Sequence, residues 1–121
     1  MSHDIFNLSA VKMYQAMLGA DKLSALWAEY KQTSADKLKA AENLLKAEDW
    51  HGLRIVFHAM RSSSVVFGLD KFAELCTKIE DAIMCDDDCR QDMAQAMPLW
   101  QKSVDAAEAF FQDKNYDNRK K

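Results

Sequence analysis

The chain has 121 residues and a formal net charge of -3, nearly half of it apolar, with only three glycines and one proline. That length fits one domain with a proper core, and that composition favours helices over a sheet-rich fold or disorder. The acidic balance does not suit nonspecific binding of nucleic acid, and no apolar run approaches the ~20 residues needed to span a membrane. The start, Met1 to Ile5, lacks the basic and apolar regions of a signal peptide, so a cytoplasmic location is expected. An odd number of cysteines, Cys76, Cys85 and Cys89, suits reduced thiols.

Ile5 to Leu18 reads as a short leading helix, with Ser9 as N-cap and Gly19 as its stop. Val11, Tyr14, Met17 and Leu18 would cover one end of a bundle. Asp21 then caps a long segment to about Ala47, with a stripe through Leu23, Leu26, Trp27, Tyr30, Leu38, Ala41, Leu44 and Leu45. The stripe weakens at Gln32-Thr33-Ser34, which leaves one helix or two open.

Asp49 is the N-cap expected for the next helix, with Trp50 packing at the bundle end. Val56, Met60 and Phe67 define its core face. With His58 at zero on a helical wheel, Arg54, Ile55, Arg61, Ser62 and Val65 fall within about 60° of it, away from that face. Two arginines beside an exposed imidazole suit an anion carried on the ring, such as a phosphoryl group. Ile55 and Val65 on the same face suit docking. His51 shares the face two turns earlier but sits at the helix start without flanking arginines.

Gly68-Leu69-Asp70 ends this helix and caps the following one, whose buried stripe is Phe72, Leu75, Cys76, Ile79, Ala82 and Ile83. So short a connection makes the two antiparallel neighbours. Cys85-Asp86-Asp87-Asp88-Cys89 raises the question of a soft metal, but two thiols with no histidine nearby are better read as a solvated acidic turn whose last aspartate caps a helix. The last helix runs from about Cys89 to Gln112, with a seam of Met93, Met97, Trp100, Val104, Ala107 and Phe111. Pro98 should kink it or restart it, and residues 113–121 read as a frayed polar tail. No nucleotide loop or kinase motif is present.

The run His58-Ala59-Met60-Arg61-Ser62-Ser63-Ser64, followed by Phe67 and Gly68, resembles the signature of the histidine-containing phosphotransfer (HPt) domains of multistep phosphorelays. The following helix resembles the family's too, ending in Cys76-Thr77-Lys78-Ile79-Glu80. So does the approach Ala47-Glu48-Asp49-Trp50. Ser62 departs from the glycine usual there, which bears on partner choice and transfer rate.

The resemblance implies a single all-α domain over residues 1–121, an antiparallel four-helix bundle with a short additional N-terminal helix. It implies a phosphocarrier in which His58 accepts a phosphoryl group from a receiver-domain aspartate and passes it to another receiver. Arg61 would offset phosphoryl charge, and Gly68 joins Arg54, Ile55, Ser62 and Val65 as residues for docking or access. The implied partners are response-regulator receivers and a hybrid histidine kinase. No cofactor is expected in this chain, Mg²⁺ being supplied by the receiver. Met1 and a full bundle suggest a free-standing monomer. The competing reading is an adaptor that docks receivers or kinases without carrying phosphate.

Overall fold

The computed structural model describes residues 5–120, with side chains for 5–112. Five helices follow in order: α1 (Leu8–Leu18), α2 (Ala20–Lys46), α3 (Trp50–Val66), α4 (Asp70–Met84) and α5 (Arg90–Lys120). Helix α3 packs against α2 and α4, and α5 against α4 and α2, which closes a four-helix ring. Helix α1 lies across α2 and α3. The fold is therefore the expected all-α bundle with an added N-terminal helix.

The α1 cap is Asn7 rather than Ser9. Its Oδ1 accepts from the Ala10 N–H at 3.2 Å. Asn7 takes this role because the α3–α4 turn holds it: its own N–H donates to the Gly68 carbonyl at 2.6 Å, and its amide donates to Asp70 Oδ2 at 2.8 Å. Only Val11 of α1 is fully buried. Met17 is 71% exposed, not packed, because it lies about 100° round the helix from Leu18.

Gly19, at φ +90°, both ends α1 and precedes α2, so Asp21 falls in the first turn of α2 and does not cap it. An acidic side chain there still suits the helix dipole. Helix α2 runs unbroken through Gln32-Thr33-Ser34, where Ser34 is buried in the bundle instead of capping a new start. Its stripe stacks aromatic rings at the core: Trp27 lies 4.7 Å from Phe111 and 5.6 Å from Tyr30, and Phe67 is 5.0 Å from Tyr30.

Asp49 caps α3 as expected, accepting from the Gly52 N–H at 3.0 Å. The buried face is centred on Leu53, Phe57, Met60 and Ser64, with Val56 only half-buried. That face is rotated from the expected one because α3 is wedged between α2 and α4. Full burial of Leu53, Phe57 and Met60 stabilises the bundle by roughly 1.5–3 kcal/mol each. Trp50 is exposed at the bundle end, where the Arg90 guanidinium lies over its ring at 5.5 Å. Pro98 stands inside a continuous α5. That helix continues past Gln112 to Lys120; the frayed tail expected over 113–121 concerns side chains outside those described.

At the α4–α5 turn, Asp88 Oδ1 accepts from the Arg90 N–H at 3.0 Å, and this bond holds its carboxyl below the usual range. Cys85 is exposed and Cys89 buried. Among the described residues no group of three or more His, Cys, Asp or Glu side chains is placed to hold a metal ion, and no helix is long and apolar enough to cross a membrane.

Candidate functional site

The site is built on the α3–α4 pair. Phe57 is buried, and its neighbour His58 stands about 100° away, at the edge of α3 that meets α4. The His58 side chain is 59% exposed. Its Nδ1 lies 2.9 Å from Oε2 of Glu80 on α4, a carboxylate only 12% exposed. A carboxylate accepts, so this bond places a hydrogen on Nδ1. In the neutral ring Nε2, the other nitrogen, then carries the lone pair.

Arg54, one turn before His58, is ion-paired with the same Glu80 oxygen at 3.7 Å. Arg61, three residues after His58, is half-buried and lines a shallow groove between α3 and α4 with Val65, Ala73 and Thr77. Ser62 is exposed, whereas the Ser63 hydroxyl donates to the carbonyls of Ala59 and Met60 within its own helix. Ile55 and Val65 are 50% and 40% exposed, large apolar side chains flanking the histidine. One face of α3 thus presents His58, Ile55, Ser62 and Val65, with Arg54 and Arg61 at its edges.

Gly68 does not join that face. It is buried at the α3–α4 turn with φ +74°, and a Cβ there would collide with the Asn7 carbonyl. Its place is structural: its N–H donates to Val65 and the next N–H, of Leu69, to Ser64, which ends α3 where α4 must start. His51 is exposed on the first turn of α3.

Beneath the site the thiol of Cys76 is fully buried, and burial pushes its pKa up to about 12. Deeper still, the Tyr30 hydroxyl shares a 2.7 Å hydrogen bond with Ser64 and accepts one at 3.2 Å from the Trp100 indole. This network ties α3 to both α2 and α5, so the helix carrying His58 is fixed against two neighbours.

The Hpt domain family model matches residues 25–110, which span the whole of α3 and α4. The chain belongs to the Hpt domain family. Among solved structures, this Hpt domain is similar to the crystal structure of histidine-containing phosphotransfer protein B (HptB) from Pseudomonas aeruginosa PAO1. The TM-score is 0.72 at 18% identity, over 95% of this chain and 98% of that one. At that identity the likeness speaks to the fold. No curated protein matches the chain. Membership makes this a phosphotransfer protein of two-component signalling.

Within the Hpt domain, sequence reasoning brought His58, Arg54, Ile55, Ser62 and Val65 to one face and missed Glu80 as the partner of His58. The signal was there, because Glu80 ends the Cys76-to-Glu80 run. What the wheel of α3 does not hold is a residue from the next helix.

Proposed function

We propose that the protein is a phosphocarrier in a His-Asp phosphorelay, with Nε2 of His58 as the atom that carries the phosphoryl group. The observation that carries this reading is the bond from His58 Nδ1 to Glu80. It pins the ring on a rigid helix, selects the tautomer and leaves a nucleophilic nitrogen at the surface.

The lone pair on Nε2 attacks phosphorus of a receiver's aspartyl phosphate. The bond from phosphorus to the carboxylate oxygen breaks, and aspartate leaves with that electron pair. The ring, still bearing its Nδ1 hydrogen, gains positive charge, which the Glu80 carboxylate faces directly. The reverse step, on a second receiver, returns the phosphoryl group to an aspartate and restores neutral His58. Arg61 offsets charge on the phosphoryl oxygens, and Ser62 offers them a hydroxyl. Ile55 and Val65 provide the apolar contact for a receiver, whose own acidic pocket and Mg²⁺ align the group. A hybrid kinase would be the source of phosphate at the head of the relay.

Phosphoramidate, a small phosphoryl donor, tests this without a known partner. Acid-labile phosphate is expected by intact mass on the parent protein and not on His58→Gln. Label on His58→Gln overturns the assignment. No label on the folded parent, either from phosphoramidate or from phosphorylated receivers, leaves an adaptor that docks without carrying phosphate.

A further inference from the structure

Arg54 stands beside His58 in the sequence pattern as a second cation for the phosphoryl group, yet its guanidinium is spent on Glu80. The Arg54 Nη1 and the His58 Nδ1 share one atom, Glu80 Oε2, at 3.7 and 2.9 Å. Glu80 is the most enclosed of the three side chains, at 12% exposed against 34% for Arg54 and 59% for His58. A carboxylate so enclosed needs compensation, and a neutral imidazole offers a hydrogen bond but no charge.

We propose that Arg54 is a positioning residue that acts through Glu80: it holds and partly neutralises the oxygen that orients His58, and does not itself serve the phosphoryl group. The inference rests on His58 as the reactive residue. Its content is a division of labour, with Arg61 for the incoming anion and Arg54 for the carboxylate behind the ring.

Arg54 and Arg61 on its own helix and Glu80 on α4 are the charged groups nearest His58 in this arrangement, and Asp70 and Glu74 of α4 line the groove beside Arg61. Lys78 of α4 turns to Asp92 of α5 at 3.9 Å, and Glu29 and Lys37 of α2 line a separate groove with Ser63 and Val66. Removing Arg54 therefore leaves Glu80 uncompensated beside the ring. A bare carboxylate favours the doubly protonated imidazole, which has no lone pair for attack. The loss of nucleophilicity is then greatest at mildly acidic pH and fades in alkali.

The test is a double-mutant cycle on nucleophilicity that needs no phosphoryl transfer. Carbethoxylation of His58 by diethyl pyrocarbonate is followed by peptide mass, which separates it from His51 and His3. Arg54→Ala is expected to slow His58 about threefold at pH 6.5, with little change at pH 8.5, and Arg54→Lys to restore most of the rate. In a Glu80→Gln background, where the amide oxygen still accepts from Nδ1, Arg54→Ala is expected to change nothing further. An equal effect in both backgrounds, an effect of the same size at both pH values, or no effect at all overturns the proposal. Phosphoramidate labelling of the same five proteins should follow the same pattern. A parent that takes no label from phosphoramidate or from phosphorylated receivers, while the carbethoxylation cycle holds, would sink the phosphocarrier reading and leave the Arg54–Glu80 linkage standing.

Discussion

The hydroxyls of Tyr30 and Ser64 lie 2.7 Å apart in the middle of the bundle, where Ser64 is fully buried. They join α2 to α3, and the Trp100 indole adds α5 at 3.2 Å. One phenolic oxygen therefore serves two partners that have no water to turn to.

Tyr30→Phe should cost more than a single lost bond, because it strands both the Ser64 hydroxyl and the Trp100 N–H. The expected loss is about 1–3 kcal/mol, read as a lower urea midpoint with an unchanged slope. Ser64→Ala removes one partner and keeps the Tyr30–Trp100 bond, so it should cost less. Equal costs would contradict the shared-oxygen arrangement.

Gly68→Ala should destabilise the fold through two separable causes. A left-handed φ of +74° penalises any Cβ by roughly 1–2 kcal/mol, and here the Cβ also meets the Asn7 carbonyl. Gly19→Ala supplies the comparison: its φ is +90°, but a Cβ there meets open space. Both variants should melt below the parent, Gly19→Ala through backbone strain alone, because φ +90° with ψ 152° is a conformation essentially limited to glycine. A Gly68 variant that melts with the parent would mean that the Asn7 contact gives way freely.

Cys76 predicts an alkaline weakness. Its thiol titrates at about 12 in the fold against an ordinary 9.0, because burial penalises the thiolate. Above pH 9 the unfolded chain gives up this proton while the folded one keeps it. Stability from this group is thus complete below pH 9 and is lost as pH rises towards 12, by up to ~1.4 kcal/mol per pH unit. Tyr30, raised from 10.0 by burial, acts in the same direction. Cys76→Ala should flatten the fall of urea midpoint with pH, whatever it does to the midpoint at pH 7. In the native protein at pH 8, Cys85 should be the one thiol that Ellman's reagent reaches quickly, because Cys76 and Cys89 are buried.

Arg61→Ala should slow labelling of His58 by phosphoramidate about tenfold or less, while leaving the melting temperature close to the parent's. Arg61 is half-buried along an open groove, so its removal opens no cavity. A labelling rate unchanged at all pH values would remove Arg61 from the phosphoryl site.

The sequence showed the helices clearly because the core repeats at helical spacing. Trp27, Tyr30, Leu38 and Ala41 in α2 and Trp100, Val104, Ala107 and Phe111 in α5 are all buried as their periods require. Asp49 was legible as a cap because its partner, the Gly52 N–H, is three residues away. Asn7 was not, because what holds it is a carbonyl some sixty positions on, as the 63-residue separation from Asp70 indicates. The same limit hid the exact rotation of α3. A wheel ranks the faces of one helix, but contact with both α2 and α4 decided that Phe57 goes in and His58 stops at the α4 edge. Trp50 and Met17 read as packing residues, but Trp50 is partly exposed under the Arg90 guanidinium and Met17 stands in solvent.

Glu80 occupies one nitrogen of His58, Nδ1, and leaves Nε2 as the ring's other nitrogen. On the proposed reading, a donor and an acceptor that both need Nε2 cannot be seated together, so every loading must finish before an unloading begins. Partners then compete for one berth, and the net direction of flow follows how much phosphorylated donor and unphosphorylated acceptor is present and how firmly each aspartate holds the group.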